Sequence, residues 1–151
     1  HEHALYFMVN QLENADIGKV TIDKNKTIYE TPYTFHIKSE ISIQLNEHVS
    51  CFDIIGAIYP PATIWGIPVD RTEHILAETE QFNREYFTGV YGYWNYKGDA
   101  DTALVIRSAK IEGDTISVYA GGGIVKDSDP NSEFEETVNK MRPVLSYSVE
   151  N

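Results

Sequence analysis

YFTGVYGYWNYKGDADTALVIRSAKIEGDTISVYAG, residues 86–121, decides the fold class of this 151-residue chain. The stretch predicts three β-strands, over residues 86–96, 102–111 and 114–121. Gly98-Asp99 and Gly113-Asp114 separate these strands, and such pairs are typical of the tight turns of hairpins. Because the strands follow one another without an intervening helix, they predict antiparallel pairing.

Helices are predicted on both sides of this strand block. They span residues 1–13, 49–58, 70–81 and 132–146. In the first, Leu5, Val9 and Leu12 have the spacing of one helical face. An earlier pair of strands is expected between Val20 and Leu45, with a polar turn from Asp23 to Lys26. Since helices and hairpins come in blocks, the predicted class is α+β, an antiparallel sheet with flanking helices.

Composition and charge exclude several classes of protein. Hydrophobic residues make up 42% of the chain, which suits one folded domain, and no apolar run reaches the roughly 20 residues of a membrane-spanning helix. With 12 Lys and Arg against 23 Asp and Glu, the net charge of −11 argues against nucleic-acid binding. Cys51 is the single cysteine, so there is no internal disulfide and no multi-cysteine zinc site. A reducing, cytoplasmic setting is expected.

The last predicted helix carries a charged stripe. At about 100° per residue, Glu133, Glu136 and Lys140 fall on one side, bordering the apolar positions, and Glu135 points away. Two carboxylates suit a hard cation, which leaves Lys140 for an anion. The alternative is a solvent-exposed stripe with a Glu136–Lys140 ion pair.

Four other features are candidates for function. Gly121-Gly122-Gly123 follows a predicted strand and could either cradle a carboxylate or form a bulge. Arg107 lies in an apolar strand and, if buried, needs a carboxylate from the protein or from a ligand. His36 in an alternating strand is either structural or an acid–base group, and Thr63 is expected in a loop.

The order of motifs over nearly the whole chain resembles the chorismate-utilising enzymes. This family comprises component I of anthranilate synthase and of aminodeoxychorismate synthase, and the isochorismate and salicylate synthases. The motifs are Glu2-His3, NADIGKV (14–20), HIKSEI (36–41), YPPATIWGIP (59–68), REYFTG (84–89), IRSA (106–109), AGGGIV (120–125) and EFEET (133–137).

The resemblance implies a role for each matching residue. Glu2 and Glu136 are expected to hold Mg²⁺, with help from Glu133, and the metal would bridge to the ring carboxylate of chorismate. Gly121, Gly122, Gly123 and Lys140 are expected to bind that carboxylate. Arg107 is expected to bind the enolpyruvyl carboxylate, while His36 and Thr63 would line the substrate near the reacting ring carbons.

The resemblance also implies that residues 1–151 are the C-terminal portion of a larger chorismate-binding domain. The general acid glutamate and the activating lysine of the family lie upstream of His1, so the chain alone is expected to be inactive and to associate with itself or with the missing portion. Trp65 and Val69 depart from the serine and lysine found in relatives, and Gly122 replaces an alanine. Pro143 is expected to disturb the last helix.

The expected activity is Mg²⁺-dependent conversion of chorismate by the full-length parent. Ammonia or water would add at ring C2, and the C4 hydroxyl would leave, with or without later loss of pyruvate. An enzyme that uses ammonia would need a glutamine amidotransferase partner. The motifs do not select one product, because Thr63 and NADIGKV favour amine-introducing enzymes, whereas REYFTG and IRSAKI favour isochorismate synthases. The alternative is a degenerate, non-catalytic domain that binds a carboxylate or a partner.

Overall fold

The computed structural model describes residues 1–30 and 35–146, which divide into two units. Unit 1 comprises His1–Glu73 and Lys97–Asp99, and unit 2 comprises His74–Tyr96 and Ala100–Asn151. Helices and antiparallel two-stranded sheets make up both units, which confirms the predicted α+β class. No helix in the described part of the chain is long and apolar enough to cross a membrane.

Unit 1 contains the first elements of the chain. They are α1 (Glu2–Asn14), β1 (Gly18–Glu30), β2 (Phe35–Leu45), α2 (Cys51–Ile58) and α3 (Ala62–Trp65). Helix α1 contacts α2, α3 and β1. Leu5 and Leu12 are buried on the predicted face of α1, and Ile17 is buried just after this helix. The helical spacing of the sequence therefore predicted both the helix and its packed side.

Strand β1 runs through the predicted turn at Asp23 to Lys26, so that prediction was wrong. The polar residues are accommodated by shifts in register between Ile22 and Lys24 and between Lys24 and Thr27. Such irregularities take up extra residues without ending a strand. The two strands join through residues 31–34, which lie outside the described residues.

Helix α2 begins with a reciprocal cap. Asp53 N–H donates to Ser50 Oγ at 3.3 Å, and Ser50 N–H donates to the Asp53 carboxylate at 2.8 Å. These bonds satisfy backbone and side-chain groups at the helix start. Residues 62–65, expected in a loop with Thr63, instead form the single turn α3, in which Trp65 N–H donates to Pro61 O at 3.2 Å.

Helix α4 (Val69–Thr79) crosses from unit 1 into unit 2, which holds the later strands. The strands are β3 (Val90–Trp94), β4 (Ala100–Leu104), β5 (Ala109–Glu112) and β6 (Thr115–Val118). They pair as two hairpins, β3–β4 and β5–β6. The predicted turns are confirmed, since Gly98 and Gly113 have φ of +92° and +59°.

The strand predicted over residues 102–111 is broken. Strand β4 ends at Leu104 and β5 begins at Ala109, with Arg107 at a φ of +53° between them. A left-handed residue cannot continue an extended strand, so the chain changes direction here. The apolar run looked like one strand because hydrophobicity does not report the backbone angle of a single residue.

Helix α5 (Pro130–Ser146) begins two residues earlier than predicted. The Asp129 carboxylate accepts from Ser132 N–H and from Ser132 Oγ, both at 2.9 Å, and Pro130 occupies the first helical position. An aspartate cap followed by proline is a strong helix start. The helix continues past Pro143 to Ser146.

Candidate functional site

Helix α5 brings a lysine and a glutamate into direct contact. Lys140 Nζ forms an ion pair with Glu136 and donates to the backbone oxygen of Gly121 at 3.0 Å. The hydrogen bond and charge of Lys140, with a smaller contribution from Arg107, lower the pKa of Glu136. Glu136 is therefore ionised at neutral pH, and the predicted i,i+4 pair is present.

The glycine segment, residues 121–123, follows β6 and contacts this helix. A β-carbon at Gly122 would lie 3.3 Å from Glu133 Oε2 and 3.9 Å from Lys140 Nζ. The segment lies outside the strands, so it is not a bulge in a ladder. Its backbone lies beside both a carboxylate and an ammonium group of α5.

Arg107 reaches the same helix from the break between β4 and β5. Its Nη1 donates to the backbone oxygen of Lys140 at 3.2 Å. The apolar sequence around Arg107 favoured a buried side chain with a carboxylate partner from the protein or from a ligand, but Arg107 is exposed and donates to a main-chain carbonyl. An exposed guanidinium can still accept a ligand carboxylate in a bidentate geometry.

Glu133 is oriented by a residue that the sequence reasoning did not select. Ser128 Oγ donates to Glu133 Oε1 at 2.6 Å. An open cavity of about 330 Å³ lies alongside, bordered by Gly122, Ser128, Glu133 and apolar residues that include Phe134. The sequence around Ser128 does not show where the serine hydroxyl points.

The structure places six of the ten predicted site residues around α5 in unit 2. They are Arg107, Gly121, Gly122, Glu133, Glu136 and Lys140. Gly123 follows directly in the glycine segment. The arrangement combines two carboxylates, two cationic side chains and an exposed glycine backbone, and can therefore bind both a cation and an anion.

The remaining three predicted residues lie on separate elements of unit 1. Glu2, at the start of α1, pairs with Lys26 Nζ at 2.6 Å, and that bond lowers the pKa of Glu2. His36 is exposed on β2 opposite Tyr29, and Thr63 is exposed on α3. Their predicted roles stay predictions.

The carboxylates of α5 have the donor chemistry of a hard cation site. Mg²⁺ prefers oxygen ligands and is usually bound by one or two carboxylates. Glu133 and Glu136 fit this preference, although a cation bound here would compete with Lys140 for the Glu136 carboxylate. Across residues 1–30 and 35–146, no group of three or more His, Cys, Asp or Glu side chains is already arranged to hold a metal ion.

A family model for chorismate binding enzymes matches residues 1–146. The chain belongs to the chorismate-binding enzyme family. This result confirms the resemblance inferred from the motif order, and it covers both units.

Curated relatives include component 1 of anthranilate synthase from two organisms. The Thermococcus kodakarensis protein is 39% identical over 95% of this chain and 35% of its own length. The Pseudomonas aeruginosa protein is 41% identical over 87% of this chain and 27% of its own length. The chain thus spans about a third of the length of these relatives.

Two solved structures extend the likeness to three dimensions. A Bacillus anthracis protein assigned as a 2,3-dihydroxybenzoate-specific isochorismate synthase is 25% identical, with a TM-score of 0.91, over 100% of this chain and 40% of that one. Component I of anthranilate synthase from Streptococcus pneumoniae is 29% identical, with a TM-score of 0.81, over 91% of this chain and 33% of its own.

Proposed function

We propose that the protein carrying this chain converts chorismate in a Mg²⁺-dependent reaction. Ammonia or water adds to ring C2, the ring double bonds shift, and the C4 hydroxyl leaves, with or without later loss of pyruvate. The observation that carries this proposal is the cluster on α5, where Glu133, Glu136 and Lys140 lie beside the glycine segment. Family membership supplies chorismate as the substrate class.

Local cationic groups explain how an acidic chain would bind a dianion. The net charge of −11 repels anions at long range, so binding depends on groups at the site. The guanidinium of Arg107 would bind the enolpyruvyl carboxylate, while Lys140 and the backbone N–H groups of residues 121–123 would bind the ring carboxylate. Glu133 and Glu136 would hold the metal, which when bound polarises that ring carboxylate.

Other parts of the reaction are assigned to groups outside this chain. We propose that the rest of the parent protein supplies the general acid and the base that activates the nucleophile, so that the chain alone is inactive. The anthranilate synthase relatives favour ammonia, delivered by a glutamine amidotransferase subunit. The likeness to an isochorismate synthase favours water, and product analysis decides between them.

The first test compares two glutamates of the same helix in the full-length protein. Glu136→Ala removes the carboxylate that contacts Lys140, whereas Glu135→Ala removes an exposed one on another side of α5. We expect Glu136→Ala to lower Mg²⁺-dependent chorismate turnover by at least about 100-fold, because the metal loses a ligand, and Glu135→Ala to leave turnover unchanged. Unchanged turnover in Glu136→Ala would overturn the proposal.

A second candidate is a non-catalytic domain that binds a small carboxylate. It is favoured by Trp65 and Val69, which replace the serine and lysine expected from the resemblance around Gly66. Titration calorimetry of the full-length protein with Mg²⁺ and chorismate separates the candidates. Binding without any product favours this second function, whereas product formation excludes it.

A further inference from the structure

We propose that Ser128 is a positioning residue that holds the Glu133 carboxylate against the glycine segment. The inference rests on the proposed function, because it concerns how one ligand of that site is oriented. Nothing in the family resemblance assigned Ser128 a role. The evidence is the set of hydrogen bonds that surround its hydroxyl.

The Ser128 hydroxyl has its donor and one acceptor position occupied. Its Oγ donates to Glu133 Oε1 at 2.6 Å and accepts from Val125 N–H at 3.1 Å. A hydroxyl carries a single proton. When its oxygen accepts from a backbone N–H, the O–H bond points toward a different acceptor. Val125 therefore orients the hydroxyl, and the hydroxyl orients Glu133.

The backbone on either side of this bond is also held. Ser128 N–H donates to Val125 O at 3.0 Å, which closes the turn that carries the serine. Glu133 N–H donates to Asp129 O at 3.0 Å, which places the glutamate in the first turn of α5. Because the backbone is held at both residues, the Ser128–Glu133 hydrogen bond holds the Glu133 carboxylate in one position.

The Glu133 carboxylate lies between Ser128 and the glycine segment. Glu133 Oε1 is held by Ser128, and Oε2 lies 3.3 Å from the position that a Gly122 β-carbon would occupy. One oxygen is therefore used for positioning, and the other faces the glycine segment where the ring carboxylate is proposed to bind. Removal of the hydroxyl frees Glu133 to rotate away from this segment.

The test uses three variants of the full-length protein. Ser128→Ala removes the positioning hydroxyl and Ser128→Thr restores one. Ser132→Ala is the matched control, because the Ser132 hydroxyl bonds Asp129 in the same helical turn and not Glu133. Titration calorimetry with Mg²⁺ alone, kinetics with chorismate and thermal unfolding are measured for each variant.

We expect Ser128→Ala to weaken Mg²⁺ binding by about 10- to 100-fold, as is typical when a partner of a metal ligand is lost. Ser128→Thr should recover most of the affinity, and Ser132→Ala should keep it, even if its unfolding temperature falls. Equal Mg²⁺ affinity in Ser128→Ala and Ser132→Ala would overturn the proposal. A merely structural role would instead lower unfolding temperature and leave the affinity unchanged.

Crystal structures of the parent protein and of Ser128→Ala separate this inference from the proposed function. We expect the Glu133 carboxylate to leave Gly122 in Ser128→Ala, and an unmoved carboxylate would refute the positioning role. If the parent protein neither binds Mg²⁺ nor consumes chorismate, the proposed function fails. The position of Glu133 then decides by itself whether Ser128 orients it.

Discussion

Arg107 combines a side chain suited to carboxylates with an unusual backbone conformation. Its φ of +53° is uncommon for a residue other than glycine, asparagine or aspartate. Conformations of this kind are concentrated at ligand sites, where the surrounding structure holds them in place. Here the conformation separates β4 from β5 and allows the guanidinium to reach the backbone of Lys140. The strain and the proposed binding role thus belong to the same residue.

Replacing Arg107 with lysine tests that role. Arg107→Lys keeps the positive charge but loses the paired N–H groups that bind a carboxylate in a bidentate geometry. We expect the KM for chorismate to rise by about 10- to 100-fold, the range expected for a lost charged hydrogen bond, with a smaller change in kcat. Arg142→Lys, on the exposed side of α5, is the control and should keep the parental KM. Equal KM values in the two variants would refute the assignment.

Side chains that share a helix were predictable from the sequence, but contacts across a turn were not. The 3.6-residue period correctly placed Glu136 beside Lys140. The contact between Ser128 and Glu133 depends instead on the turn conformation and on the hydroxyl direction. Neither quantity has a sequence period, which is why Ser128 was missed.

At the scale of elements, the hairpin of β1 and β2 differs most from its prediction. Polar residues from Asp23 to Lys26 are typical of a turn, but here they continue the strand. Across the hairpin, Glu40 on β2 pairs with Lys24 at 2.9 Å, which compensates for this polarity, and Glu40 also pairs at 2.9 Å with Lys38 on its own strand. A local pattern could not reveal these partners, because Glu40 comes much later in the chain.

This charge network predicts a pH dependence for the hairpin. Hydrogen bonds from Lys24 and then Lys38 lower the pKa of Glu40 from 4.5 to about 2. Since the folded-state pKa is the lower one, the stabilising effect is present above pH 4.5 and is lost as the pH falls toward 2. We therefore expect Glu40→Gln to lower the unfolding temperature at pH 7, with a difference from the parent that shrinks across that interval.

The control for this prediction is Glu47→Gln, an exposed glutamate beyond the end of β2. It should have little effect on unfolding temperature at any pH. High salt should reduce the effect of Glu40→Gln at pH 7, because the pairs are partly exposed and therefore screened. A difference that persists unchanged at pH 2 would show that lost packing, and not charge, causes the destabilisation.

At the scale of the whole molecule, the chain buries little apolar surface within either unit. The buried hydrophobic core of the described residues consists of Leu5, Leu12 and Ile17, all in unit 1. The apolar face expected on α5 is not buried, since Phe134 is 66% exposed and Leu145 is 43% exposed. Periodicity identified an apolar side of the helix, but it could not identify what covers that side.

Both units leave large apolar and aromatic side chains in solvent. Those in unit 1 include Ile28, Phe35 and Ile37, and those in unit 2 include Tyr86, Tyr91, Tyr93, Ile111, Ile124 and Val125. Several lie on two-stranded sheets, which also present unpaired strand edges. Exposed apolar groups together with open edges favour association.

We therefore expect the 151-residue chain to associate with itself when it is produced alone. The net charge of −11 opposes contact between copies, and added salt screens that repulsion. The average sedimentation coefficient should rise with protein concentration. It should rise further in 0.5 M salt, where the Debye length falls to ~4 Å. An apolar dye should also bind. The full-length protein is the control and should bind less dye per chain. A concentration-independent monomer without dye binding would mean that these surfaces need no cover, which would contradict the prediction.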